Sequence, residues 1–272
     1  MTRPPPRLDL PTICSIAVVG YLIANVLHEG VGHAVVCQAV GCTPQIVTTA
    51  HVEWEAGSAS EAARRLISAG GTLVNLLAGL AFAALLQNAR KAAGSVRYFL
   101  WVSMSVNLFV GAGYFLFSGV IGIGDWISVI HGWGRPAVWR ATLVLVGVLL
   151  YVGAVAYSLR RLAPLIGGDK PAAVGRAVRL TTVPYVLASV ASSLGSLFNP
   201  IGVALFAISL AAHAGGTSAL AWMAQMFETR WFPLTDAEPI EIPRRWNWII
   251  GAVVLLLVHV VVLGPGIRFG QP

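Results

Sequence analysis

Charge is what this sequence has least of. Only 11% of its 272 residues are Asp, Glu, Lys or Arg, where a soluble domain carries about 25%. With 57% hydrophobic residues and a mean hydropathy of +0.76, that shortage excludes an ordinary soluble fold. Cysteine is scarce as well: Cys14, Cys37 and Cys42 are the whole supply. An odd number argues against a disulfide framework, and no Cys-x-x-Cys spacing offers a thiolate metal site. Cys14 and Cys37 lie in apolar sequence and read as small packing residues. A compact basic patch is missing too. The net charge of +7 and the pI near 9.8 come from residues scattered between apolar runs, which excludes nucleic acid as a partner. No repeat of fixed period and no soluble domain stands out. The Pro-rich first eleven residues lack the small-residue cleavage site of a signal peptide, so the first apolar run is expected to be retained.

What the chain has in quantity is apolar runs of membrane-spanning length, about 20 residues or more. Seven are expected, at residues 13–40, 66–86, 98–126, 137–159, 177–197, 201–226 and 246–263. The fold class is therefore an all-α polytopic membrane protein of about seven transmembrane helices. Residues 44–54 are the exception. Ile46, Thr48, Ala50, Val52 and Trp54 alternate with polar residues, which predicts a strand or short β-hairpin after the first helix, against an ordinary loop. Five glycines between Gly111 and Gly124 suggest that the third helix loosens or breaks before Asp125.

One stretch stands apart from its surroundings. Leu27-His28-Glu29-Gly30-Val31-Gly32-His33 puts two imidazoles and a carboxylate inside the first apolar run. Such groups are costly in a bilayer and mark function by default. The nearest pattern is His-Glu-x-x-His, two metal ligands one helical turn apart with a Glu as general base. Here one extra residue makes the histidines five apart. On a regular α-helix five residues turn about 140° past a full rotation, which would aim the two rings apart. Three solutions stand open. A single wide π-turn, eased by Gly30 and Gly32, would realign the rings and ranks first. The helix could instead break at the glycines, or Glu29 and His33 could be the facing pair with His28 in another role.

Asp125 closes the third run. Successive spans alternate in direction, so the first and third are parallel, and Asp125 can reach the depth of His28 and His33. Two histidines and one carboxylate form a common zinc set that leaves a fourth position for water. Zinc lowers the pKa of that water, and Glu29 is the right residue type to take its proton. The competing reading of Asp125 is a helix-end acid at the interface beside Trp126. Asn75, the one strong polar group of the second run, reads by itself as helix–helix glue. His213 and His259 read as packed, hydrogen-bonded groups.

In order and spacing these elements resemble the site-2 protease family, membrane-embedded zinc metalloproteases that cut other membrane proteins. The matching elements are His28-Glu29 with His33, Gly71 to Asn75, and Gly124-Asp125. The resemblance covers residues 13–130 and divides the chain into a three-helix core, residues 1–134, and further helices, residues 135–272. It implies zinc held by His28, His33 and Asp125, Glu29 as catalytic base, and Asn75 with Asn107 near the substrate. It also implies that residues 44–54 present a membrane-protein or peptide substrate by strand addition. The sequence departs from the family in the extra residue before His33 and in Trp126, which stands where the family has Gly.

Two other classes compete. An inactive relative would serve as an accessory subunit packed against membrane-protein partners. A transporter would use His213 and the Asn199-Pro200 break as an intramembrane polar site. Seven spans put the N-terminus on the side of Arg90, Lys91, Arg160, Arg161 and Arg244, which the positive-inside rule makes cytoplasmic. The site would then open to the opposite face. The compact chain points to a bacterial inner membrane.

Overall fold

The computed structural model describes residues 7–55, 57–199, 202 and 204–269. Pro200 of the expected Asn199-Pro200 break lies outside them. The architecture is helical, with one small sheet. Helix α1 spans Leu10–Ala39, followed by strands β1 (Pro44–Val47) and β2 (Val52–Trp54). Helices α2 (Glu61–Asn88), α3 (Gly94–Ile121) and the short α4 (Asp125–Ile130) complete the first half. The second half holds α5 (Pro136–Ile166), α6 (Lys170–Leu180), α7 (Thr182–Ser193), α8 (Ala204–Gly216), α9 (Ala219–Glu228) and α10 (Trp246–Leu263). Strand β3 (Ile267–Arg268) follows the last helix.

Local chemistry sets the helix ends. The Asp9 carboxylate caps α1, accepting from the Thr12 N–H at 3.1 Å and its hydroxyl at 2.7 Å, and pairs with Arg244 at 3.0 Å. Ser60 caps α2 by accepting from the Ala63 N–H. Helix α3 stays continuous through Gly111, Gly113 and Gly119 and stops at Gly122, where φ is +82°. The expected loosening therefore happens only after Ile121. Arg140 donates to the carbonyls of Gly119 and Val120 and satisfies this helix end.

Six helices are long and apolar enough to cross a membrane, and α8–α9 forms a bent pair at 52°. Counted as one span, that pair would bring the number to seven. Thr49 on the β1–β2 turn donates its N–H to the Leu263 carbonyl at the end of α10. Gly195, after α7, packs against both Thr49 and the His259–Gly264 segment. At the other end of the bundle, Ile240 donates to Leu165 and Ile242 bridges to Leu8. The chain must therefore return between Phe198 and Thr235. One end of the bundle carries Arg7, Arg90, Lys91, Arg97, Arg160, Arg161, Lys170, Arg176, Arg179, Arg230, Arg244 and Arg245. The other carries the sheet and only Arg64, Arg65, Arg135, Arg140 and Arg268.

Helix α3 is the central post. In its most apolar stretch 72% of residues are buried, against 11% for α10, which faces outward. Trp101, Tyr98, Phe109 and Met104 of α3 are fully buried against Ile13, Ile16 and Tyr21 of α1. Leu149 and Val152 of α5 and Val261 of α10 turn outward, as lipid-facing residues should. Helices α1 and α2 cross almost backbone to backbone: a Cβ on Gly32 would sit 2.6 Å from the Gly71 nitrogen.

Two expectations need correcting. Cys37 is not a lone packing residue but is disulfide-bonded to Cys42. Gly41 turns the chain at φ +84°, bringing the two Cα atoms to 5.1 Å, within disulfide reach. Cys14 alone stays free. The hairpin of residues 44–54 is present, but its alternation is interrupted. A register shift between Pro44 and Ile46 and the turn at 48–51 leave Val47 and Val52 paired and buried, with Ile46 opposite Glu53. The sheet is also larger than a hairpin. β3 adds to the far side of β1, giving the order β2-β1-β3.

The seven-pass path is testable by thiol labelling in a Cys14→Ala background. Cysteines at Glu55 and Arg268 are expected to react from one side of sealed vesicles, and cysteines at Lys91 and Asp236 from the other.

Candidate metal centre

The middle of α1, Leu27–Val35, is a π-helix. This is the wide turn that ranked first from sequence, and it resolves the five-residue spacing. Hydrogen bonds running i to i+5 put His28 and His33 on one face. Their rings meet edge to face at 4.9 Å between centroids.

Each ring is oriented from behind. His33 Nδ1 lies 2.8 Å from the Ile67 carbonyl, which can only accept, so Nδ1 carries the proton. His28 Nδ1 lies 2.7 Å from Asn75 Oδ1. The Asn75 amide is fixed because its nitrogen donates to two acceptors, the Ala24 carbonyl at 3.0 Å and Asn107 Oδ1 at 2.9 Å. Asn107 in turn donates to the Ser103 carbonyl. Both histidines therefore turn Nε2 inward, and both Nε2 atoms face the same oxygen. Asp125 Oδ2 lies 3.2 Å from His28 Nε2 and 3.5 Å from His33 Nε2.

Asp125 is delivered by the turn between α3 and α4. Gly122 and Gly124 adopt φ of +82° and +89°, which only glycine enters freely, and Asp125 is the first residue of α4. Trp126 pins that helix. Its indole N–H donates to Thr72 Oγ1 at 3.1 Å, and its ring stacks on Phe115 at 4.2 Å. Trp126 thus anchors the acid beside it. Gly71 leaves room for the convergence, since a Cβ there would lie 2.6 Å from His28 Nε2 and 2.7 Å from His33 Nε2.

The three donor atoms lie within 4.8 Å of one another, and among the described residues theirs is the group able to hold a metal. Two of the three separations, 3.2 and 3.5 Å, are of the size that neighbouring ligands of a tetrahedral ion show. Bonds of about 2.0–2.1 Å at a tetrahedral angle put neighbouring ligand atoms about 3.3 Å apart. Protons can satisfy the same atoms as an ion pair.

A cavity of about 390 Å³ opens over the trio. Glu29 lines it with His28, His33 and Asp125, as do Asn25, Thr49, His51, Trp54, Tyr114 and His213. Asn75 and Asn107 do not. Both are fully buried and face the far side of His28, so the structure gives them a positioning place, not the substrate contact that the resemblance implies. His259 is packed and bonded to the Ser192 carbonyl. His213 is hydrogen-bonded as expected, yet it also walls the cavity, which joins the two halves of the chain. Sequence reasoning missed Asn25, Tyr114 and Thr49. Asn25 had a signal: it is a polar residue one turn before His28 on the same helix. Tyr114, whose ring lies 4.4 Å from that of His28, had none. No protein-family model, no curated protein and no solved structure matches the chain.

Asn75→Ala would leave the His28 Nδ1–H and Asn107 Oδ1 buried without partners. The expected cost is about 1–3 kcal/mol of stability. Thermal unfolding in detergent, with lipid-facing Leu149→Ala as control, measures it.

Proposed function

We propose that this chain is a membrane-embedded zinc metallopeptidase akin to the site-2 proteases, acting on the main chain of a membrane-protein or peptide substrate. The observation that carries the reading is the convergence of His28 Nε2, His33 Nε2 and Asp125 Oδ2, with both Nδ1 atoms bonded away from the site. Hydrogen bonds behind metal-binding histidines are the usual means of fixing their orientation. His28, His33 and Asp125 would hold the ion. Bound zinc supplies an acidified water and polarises a peptide carbonyl.

The remaining work falls to the chain. Glu29, next to His28 and lining the same cavity, accepts a proton on its carboxylate and returns it to the leaving amine. The apolar walls formed by Val110, Phe117, Leu205 and Ile208 limit water to what the reaction needs. The cavity admits an extended segment more readily than an intact helix, whose diameter with side chains is about 10–12 Å.

We place this site on the non-cytoplasmic side of the membrane. Two independent features support that side. The basic residues crowd the opposite end of the bundle. The Cys37–Cys42 disulfide lies at the site end, and disulfides persist in oxidising compartments.

The contact distances of 3.2 and 3.5 Å also suit a His–Asp ion pair, which favours a second reading: a non-catalytic membrane subunit braced by that pair. Metal analysis of purified protein separates the two. The peptidase should carry about one zinc per chain, and Glu29→Gln should keep the metal while peptide cleavage falls by at least ~100-fold. A metal-free protein that co-purifies with a larger assembly would favour the subunit reading. A fully active Glu29→Gln variant would remove Glu29 from the base role.

A further inference from the structure

Attack on a peptide bond builds negative charge on the carbonyl oxygen, and a donor aimed at that oxygen is among the strongest aids to the reaction. The resemblance puts Asn75 and Asn107 near the substrate, yet both amides are committed behind His28. The donor has to come from elsewhere in the cavity.

Tyr114 stands on α3 two turns after Asn107, on the same face. Its ring rests against those of His28 and Phe117, at 4.4 and 6.3 Å between centroids. The side chain lines the cavity with the trio and Glu29. The charges that act on its phenol are those of Asp125 and Glu29, the two acids of the site. The chain's other tyrosines, Tyr21, Tyr98, Tyr151, Tyr157 and Tyr185, all bond through the hydroxyl. That of Tyr114 has no partner among the described residues, and it is not closed off from the space around it. A tyrosine hydroxyl inside a protein usually finds a partner, so this one calls for a cause.

The remaining donors of the cavity are less suited. His213 Nδ1 is taken by the Ser209 carbonyl, and its Nε2 faces the Asn25 amide. His51 is half exposed on the β1–β2 turn, with Glu53 3.9 Å away. Ser68 and Ser128 sit on helices, where a hydroxyl can turn back to a carbonyl of its own helix.

We propose that Tyr114 is a catalytic residue whose phenol donates a hydrogen bond to the substrate carbonyl oxygen as that oxygen becomes negative. A phenol, with an ordinary pKa of about 10, keeps its proton at neutral pH and is a neutral donor. No bond to Tyr114 forms or breaks. The hydrogen bond is weak to a resting carbonyl and strong to the charged oxygen, so it lowers the barrier more than it tightens substrate binding. The assignment rests on the peptidase reading.

Tyr114→Phe tests it, because the ring against His28 is kept and only the hydroxyl is lost. Two probes are compared: a fluorescent decapeptide of alternating Ala and Leu, and its phosphinic analogue, in which one –CO–NH– is replaced by –PO2–CH2– to mimic the charged tetrahedral state. Binding is measured in detergent on zinc-loaded Glu29→Gln protein, with Tyr114 or Phe at this position. Affinity for the phosphinic peptide should fall about 100-fold on loss of the hydroxyl, while that for the amide peptide stays within about twofold. Zinc content should not change, and with Glu29 intact kcat should fall by a factor like that for the phosphinic peptide. Equal losses for the two probes, or no loss for the phosphinic peptide, would overturn the assignment. Failure of the peptidase reading looks different and takes the assignment with it: protein with Tyr114 then binds the phosphinic peptide no more tightly than the amide, and protein with Glu29 intact cuts nothing.

Discussion

Five residues separate His28 from His33, and the wide helical turn between Leu27 and Val35 is what lets both reach Asp125 Oδ2. A π-turn is rare beside the regular α-helix, and it occurs frequently at functional sites. Here the turn is buttressed on its inner face. Gly32, inside it, meets Gly70 and Gly71 of α2 with almost no space between the backbones. Those glycines also clear the volume in front of both rings, so the helix crossing and the ligand geometry are one constraint.

Behind the rings runs a chain of amides. Ser103, Asn107, Asn75 and His28 are linked donor to acceptor through the centre of the bundle. In an apolar interior an unpaired amide is costly, so such a network must be complete to be tolerated. Completeness has a chemical result: every orientation in the chain is determined, including the tautomer of His28. Trp126 and Arg140 do the corresponding work for Asp125, one by holding α4 against Thr72, the other by satisfying the end of α3.

Much of this was legible in the sequence. The apolar runs gave the helices, because membrane spans need length and little charge; six of the seven are single spans, and the run at 201–226 is the bent α8–α9 pair. His28, His33 and Asp125 were identifiable as ionisable groups where such groups are expensive, and the direction of the spans brought them to one depth. The π-turn was the first of three readings that the spacing left open. Other features left no local trace. The Cys37–Cys42 bond depends on a glycine turn at Gly41, and the β-bulge near Pro44 has no clear signature. β3 is two residues long and finds its partner more than 200 residues away. The places of Asn25, Thr49 and Tyr114 around the cavity arise from which helix faces which, and hydropathy does not encode that. Trp126 is a further case: it reads as an interfacial residue in the sequence, and in the fold its indole N–H holds α4 to Thr72.

The sheet has a consequence for how the molecule is made. Its central strand leaves the membrane after the first helix, yet one of that strand's two neighbours is supplied by the last few residues described. Synthesis runs from the N-terminus, so this edge stays open until the final helix has been threaded through the bilayer. Up to that moment the rim above the trio is unfinished. Biogenesis therefore sets its own schedule: the rim closes late, once the surrounding helices are available to enclose it.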